Sequence, residues 1–243
     1  MTDASAALTL QTWMSAAFPT GAFSFSHGLE TAISDGRIAD AQSCESWIAG
    51  IMQHGTGWND AVFIASSFST VAEHLPLLPD ITESHDSAAR MGGVLPASLR
   101  SINELALALC TGAERRRETT QLGQSFAKAA TSNTGHSVLS LIDTDICLPI
   151  AVGAQGALSS IPLNALLPAS LQATSSNLVW ICTRLIPLGQ TQALQIIANL
   201  QVPILSTAER ARLSTLDDIG GCALLADLAS IEHEQLHSRI CIT

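Results

Sequence analysis

The chain has 243 residues, 47% of them hydrophobic and only 13% charged, with 11 Lys+Arg against 21 Asp+Glu and a formal charge of −10. This composition excludes a disordered chain, and the acidic excess argues against binding to nucleic acid or to anionic lipid. So little charge cannot coat a monomer of this size, so much of the surface is expected to be covered by partners.

Ala, Leu, Gln and Ser dominate, and β-branched alternation is scarce, which predicts helices throughout. A short apolar segment, Leu8 to Ala17, is stopped by Pro19-Thr20-Gly21. A second helix is expected from Ser26 to Gly36, a glycine of the kind that ends helices. Asp40 is the predicted N-cap of a third, with Cys44, Trp47, Ile48 and Ile51 at helical spacing. Gly55-Thr56-Gly57 separates it from a fourth, Trp58 to His74. Pro76 to Pro96, with Gly92-Gly93, reads as an irregular connection. Ser101 to Glu104 has the pattern of a capping box ahead of Leu105–Cys110, and Gly112 interrupts before a helix over Glu114–Ala130.

Ile146 to Thr183 carries no charge, yet Pro149, Pro162, Pro168 and several polar residues break it too often for a lipid span. Two or three buried helices are expected there, ending with Asn177–Ile186. Leu188–Leu205 follows, then a second capping-box pattern at Ser206–Glu209, then a last helix over Leu216–Ile231. The whole predicts one compact all-α domain over residues 1–243, of about eight to ten helices, with a flexible N-terminal segment and a flexible tail from about residue 232. Six dispersed cysteines without a C-x-x-C pair, and no basic opening segment, point to reduced thiols in the cytoplasm.

Three constellations could carry chemistry. The densest is Phe18 to Glu30, with Ser24, Ser26, His27 and Glu30. A serine hydrolase needs nucleophile, base and acid to converge, whereas neighbours along one helical turn point to different faces. The plainer reading is a Pro-Thr-Gly turn into a Ser-capped helix, with phenylalanines packed inside. His233-Glu234-Gln235-Leu236-His237 fits H-E-x-x-H, which on a helix sets two imidazoles on one face for zinc or nickel. A closed site lacks a third ligand nearby, so a solvated tail is the plainer reading, with His233 and His237 as weak metal candidates. Glu114-Arg115-Arg116-Arg117-Glu118 reads as a solvated helical face. Arg184, which ends the charge-free stretch before Pro187 and Gly189, offers a planar fork to a partner carboxylate or phosphate. The chain has no P-loop motif.

Four blocks, in order, resemble the urease accessory protein UreF family. They are Pro19 through Glu30; Glu114–Thr119 with Gly123; Asn177-Leu178-Val179 through Arg184-Leu185-Ile186-Pro187-Leu188-Gly189-Gln190; and the tail His233-Glu234 with Ser238-Arg239. In the first block Pro19, Gly21, Phe23, Ser26, His27 and Gly28 are the structural motif. The resemblance implies a non-enzymatic, all-helical homodimer that joins a UreD (also called UreH) subunit and recruits the GTPase UreG. The assembly then delivers nickel to apo-urease, whose active-site lysine is carbamylated. On this reading the chain has no catalytic residues and no tightly bound cofactor. Nickel is handled by the assembly, and GTP is bound by UreG. Glu30, Arg184 and Gln190 are implied to meet UreG, and His233, Glu234, Ser238 and Arg239 to meet UreD. An arginine inserted into the GTPase site is a second role open to Arg184 or to Arg115–Arg117. The tail departs from the family pattern: His237 stands where Tyr is expected, Ile240-Cys241 follows, and the chain has no tyrosine. Residues 76–96 match nothing in the family.

Overall fold

A computed structural model describes residues 3–75, 94–142, 145–237 and 239–242, and the described residues contain helices and no strand. In chain order the helices are α1 (Asp3–Trp13), α2 (Leu29–Ser34), α3 (Ala41–His54), α4 (Thr56–His74), α5 (Val94–Ala108), α6 (Ala113–Thr134), α7 (Leu148–Leu158), α8 (Leu163–Leu185), α9 (Gln190–Asn199), α10 (Gln201–Arg212) and α11 (Leu224–His233), with short 3-10 turns between some of them. The expected all-helical architecture is therefore present.

The centre is α7, whose residues Pro149 to Leu158 are all buried. It lies against α4 and α6; α8 and α10 complete the packing on α4, and α3 and α9 pack on α8. A helix apolar on every side needs neighbours on every side, which is why this part of the charge-free stretch lies in the interior of the protein. No helix among the described residues is long and apolar enough to cross a membrane. Trp13 meets Phe126 edge-on with ring centroids 5.3 Å apart, fastening α1 to α6. The six cysteines are free thiols. Burial pushes Cys147 up to about 12, so it packs as a small hydrophobe.

Several predicted boundaries hold. The Asp40 carboxylate accepts the Ser43 amide at 2.8 Å while the Ser43 hydroxyl accepts the Asp40 amide at 3.1 Å, a reciprocal cap on α3. Gly36 (φ 73°) follows the end of α2, and Gly112 precedes α6. Other boundaries move. Ser101 lies inside α5, where its hydroxyl donates to the Ala97 carbonyl, so Ser101–Glu104 is no cap. Asn103 is instead a pin: buried, it accepts the Cys147 amide and donates to the Asp145 carbonyl, both at 2.8 Å, at the entrance of α7. Leu188–Leu205 divides at Leu200 because Pro203 has no N–H to give the Asn199 carbonyl. Ser206–Glu209 then falls inside α10. The last predicted helix is interrupted at Gly220-Gly221, whose amides donate to the Asn59 side chain, and α11 begins only at Leu224. The Pro76–Pro96 connection lies outside the described residues, apart from the first turn of α5.

Candidate functional site

The segment between α1 and α2, the residues after α11 and the start of α6 meet at one junction. The segment from Pro19 to Gly28 makes a hook: a 3-10 turn at Ala22–Ser24, then His27 (φ 51°) and Gly28 (φ 75°), then α2. Helix α2 therefore starts at Leu29 and not at Ser26, because two successive left-handed residues cannot continue a right-handed helix. A Cβ at Gly28 would sit 2.5 Å from the Ser230 backbone nitrogen, so glycine is what lets α11 lie directly on the hook. Phe25 is buried as expected, but Phe23 is 63% exposed.

Glu30 is buried, contrary to the exposed position that a docking residue would have. One of its oxygens accepts the Ile240 amide at 2.8 Å; the other accepts the Cys241 amide at 2.7 Å and faces His233 Nε2 at 3.1 Å. Burial alone would raise the carboxyl, but the two amides and His233 outweigh it and hold Glu30 below its ordinary value. His233 is fully buried, and its Nδ1 lies 2.7 Å from Glu114. A carboxylate therefore lies at each ring nitrogen of His233. Glu114 also receives Arg239. Glu234 accepts the Ala113 and Glu114 amides at 3.0 and 3.3 Å, supplying the α6 N-terminus with the cap that Gly112 cannot provide. The Ile242 amide donates to the Ser24 carbonyl.

These contacts correct the solvated-tail reading and the metal reading together. Helix α11 ends at His233, so His233 and His237 never share a helical face; His233 is enclosed by glutamates and His237 is exposed. No group of three metal-ligating side chains occurs among the described residues. Ser238 lies outside the described residues.

The arginine run is also not a solvated face. Arg115 is buried, 2.7 Å from Asp60 and 3.5 Å from Glu118. Glu118 is buried too and lies 2.9 Å from His27. Burial acts to raise Glu118, and His27 and Arg115 overcome it to leave it lowered. His27 is thus committed to Glu118, while the buried Ser26 hydroxyl has no hydrogen-bond partner among the described residues. A histidine held away from the serine activates no nucleophile, so the hydrolase arrangement is not formed. Arg116 and Arg117 alone of this run are exposed cations.

Arg184 is exposed at the end of α8 and donates to the Phe23 carbonyl at 3.1 Å, with Cys241 Sγ at 3.9 Å. It faces no carboxylate among the described residues, so part of its fork is open. Gln190 is exposed at the start of α9. Sequence reasoning found Glu30, His233, Glu234, Arg239 and Arg184 but missed how they combine. Glu114 and Glu118 were visible only as parts of a charge run; their spacing of four, which sets them on one face of α6 toward the hook and tail, was the available signal.

A family model described as UreF matches residues 38–201. The chain is 38% identical to the urease accessory protein UreF of Rhodopseudomonas palustris (strain HaA2), over 95% of this chain and 91% of that protein. It is 38% identical to UreF of Mesorhizobium japonicum over 97% and 95%, and 34% identical to UreF of Ruegeria pomeroyi over 96% and 94%. Matches of this extent place the chain in the UreF family of urease accessory proteins.

Proposed function

We propose that the chain is a cytoplasmic scaffold for urease maturation: as a homodimer it binds a UreD/UreH subunit, recruits the GTPase UreG, couples GTP hydrolysis to nickel delivery, and acts without chemistry of its own. The observation that carries this reading is the near full-length match to UreF proteins. Nickel is then cargo of the assembly, and GTP belongs to UreG.

The geometry divides the implied contact residues into two kinds. Arg184 and Gln190 are exposed and can touch UreG directly. Glu30 is enclosed, so its contribution is to position: it holds the tail beside Arg184. His233 is likewise enclosed and shapes the surface offered to UreD, while the exposed Glu234 and Arg239 fix the tail on the start of α6.

The test is co-expression of the urease subunits with the other accessory proteins, with and without this chain. Active nickel-loaded urease only in its presence is the expected result; equal activation without it overturns the proposal. UreG recruitment with Arg184→Ala then checks the assigned contact, with a loss of at least tenfold expected. Retained recruitment discards Arg184.

A further inference from the structure

Two of the six thiols, Cys44 and Cys182, are hydrogen-bonded to each other and fully buried. They belong to α3 and α8, which pack together, and they sit at opposite kinds of helix end. Cys44 lies in the first turn of α3, where its amide donates to the Asp40 carbonyl at 3.0 Å. Cys182 lies in the last turn of α8, where its carbonyl accepts the Ile186 amide at 2.9 Å.

These places make the two thiols unequal. The N-terminus of a helix favours a thiolate and the C-terminus disfavours one. The hydrogen bond acts in the same sense: the Cys182 thiol donates to Cys44 and holds it below its ordinary value, against burial and nearby Glu45. The same bond raises Cys182, and burial raises it further. The other thiols are engaged elsewhere. Cys110 donates to the Ala106 carbonyl and Cys222 to the Asp227 carboxylate, Cys241 lies beside Arg184, and burial holds Cys147 protonated.

We propose that Cys44 and Cys182 are a peroxide-sensitive pair that closes to a reversible disulfide, stapling the start of α3 to the end of α8. Helix ends open before helix middles, and hydrogen peroxide is small and uncharged, so local opening admits it. Cys44 Sγ attacks one peroxide oxygen, the O–O bond breaks, and the departing hydroxide leaves as water with the Cys44 proton. Cys182 Sγ then attacks the sulfenic sulfur of Cys44, the S–O bond breaks, and a second water leaves with the Cys182 proton. Two thiols are oxidised to one disulfide, and one peroxide is reduced to two waters. A dithiol reductant reverses the step by exchange. The staple fixes the turn of α8 that carries Arg184, and the inference stands apart from the scaffold reading above.

The experiment treats the reduced full chain with hydrogen peroxide, then alkylates, digests and weighs the peptides. The expected result is the loss of two thiols, a linked pair of peptides containing Cys44 and Cys182, and a thermal midpoint raised by at least about 5 °C that returns with dithiothreitol. The same link is expected in Cys222→Ser, whose one exposed thiol is gone. In Cys182→Ser, Cys44 should stop as a sulfenic acid that dimedone captures, and in Cys44→Ser, Cys182 should escape capture. Cys182→Ala and Cys44→Ala give the same readouts, should the serine variants fail to fold. Oxidation confined to Cys222, or Cys44 passing to sulfinic acid without a link, overturns the pair. Capture at Cys182 in place of Cys44 overturns the order of attack. A linked chain that melts where the reduced chain melts overturns the staple.

Discussion

The carboxylate of Glu30 and the backbone of Cys241 are 211 residues apart in the chain and 2.7 Å apart in space. The same side chain also takes the Ile240 amide, so one residue of the N-terminal hook fixes two consecutive amides of the C-terminal tail. A terminal tail normally frays, because few contacts offset its conformational entropy. Here charge-assisted hydrogen bonds in a buried position supply the missing contacts.

The first prediction tests that fastening. Glu30→Gln keeps the shape but replaces one acceptor with an NH2, which faces an amide it cannot accept. The loss is expected to be about 1–3 kcal/mol. Hydrogen exchange at Ile240 and Cys241 should quicken by about 10- to 100-fold, while amides of α7 keep their protection. Unchanged exchange at both tail amides would show that Glu30 does not hold them.

Acid should release the tail by the same route. Glu30 is held below its ordinary value near 4.5, so the unfolded or undocked state takes up a proton more readily than the docked one. Its contribution is complete above that ordinary value and is lost as pH falls through the lowered one. Protection of Ile240 and Cys241 should therefore be flat from neutral pH to about 5 and drop below about 4. In Glu30→Gln this step should vanish. A tail whose protection falls instead between pH 7 and 5 would point to a different group.

Much of this architecture could be read from the chain alone, because its strongest signals are local. The Asp40 cap, the Gly36 and Gly112 stops and the buried charge-free helices all follow from neighbours a few residues apart. The Ser101 and Ser206 patterns misled for a related reason: a capping sequence acts only where a helix has an end, and α5 and α10 began earlier. Glu30, His233, Glu234 and Arg239 were recognised, but their roles could not be. Whether a glutamate faces a partner or its own tail depends on contacts across 203 to 211 residues, and no periodicity encodes those. The H-E-x-x-H reading failed for the most local reason of all, a helix that stops at its first histidine.

Arg115 provides a third prediction. It is buried between Asp60 and Glu118, and Glu118 cannot reach water when the arginine is gone. Arg115→Ala should cost about 3–5 kcal/mol, since it leaves a buried carboxylate with only His27 for company. Arg212→Ala, which breaks an exposed pair with Glu209, should leave the denaturation midpoint where it was. Equal effects of the two substitutions would mean that the buried network contributes nothing to the fold.

Gly28 and Gly36 share a left-handed backbone, with φ of 75° and 73°, but not their surroundings. Nothing lies within 4 Å of a Cβ added at Gly36, whereas at Gly28 the Ser230 nitrogen is 2.5 Å away and backbone cannot step aside as a side chain would. Gly36→Ala should thus cost about 1–2 kcal/mol of backbone strain alone. Gly28→Ala adds a collision that pushes α11 off the hook, for a total of about 2–4 kcal/mol by chemical denaturation. Because His233 closes α11, its displacement should also loosen the Glu30 contacts, so Ile240 and Cys241 should exchange faster in Gly28→Ala and not in Gly36→Ala. Identical tail protection in the two variants would separate α11 from the tail and show that the junction is not one unit.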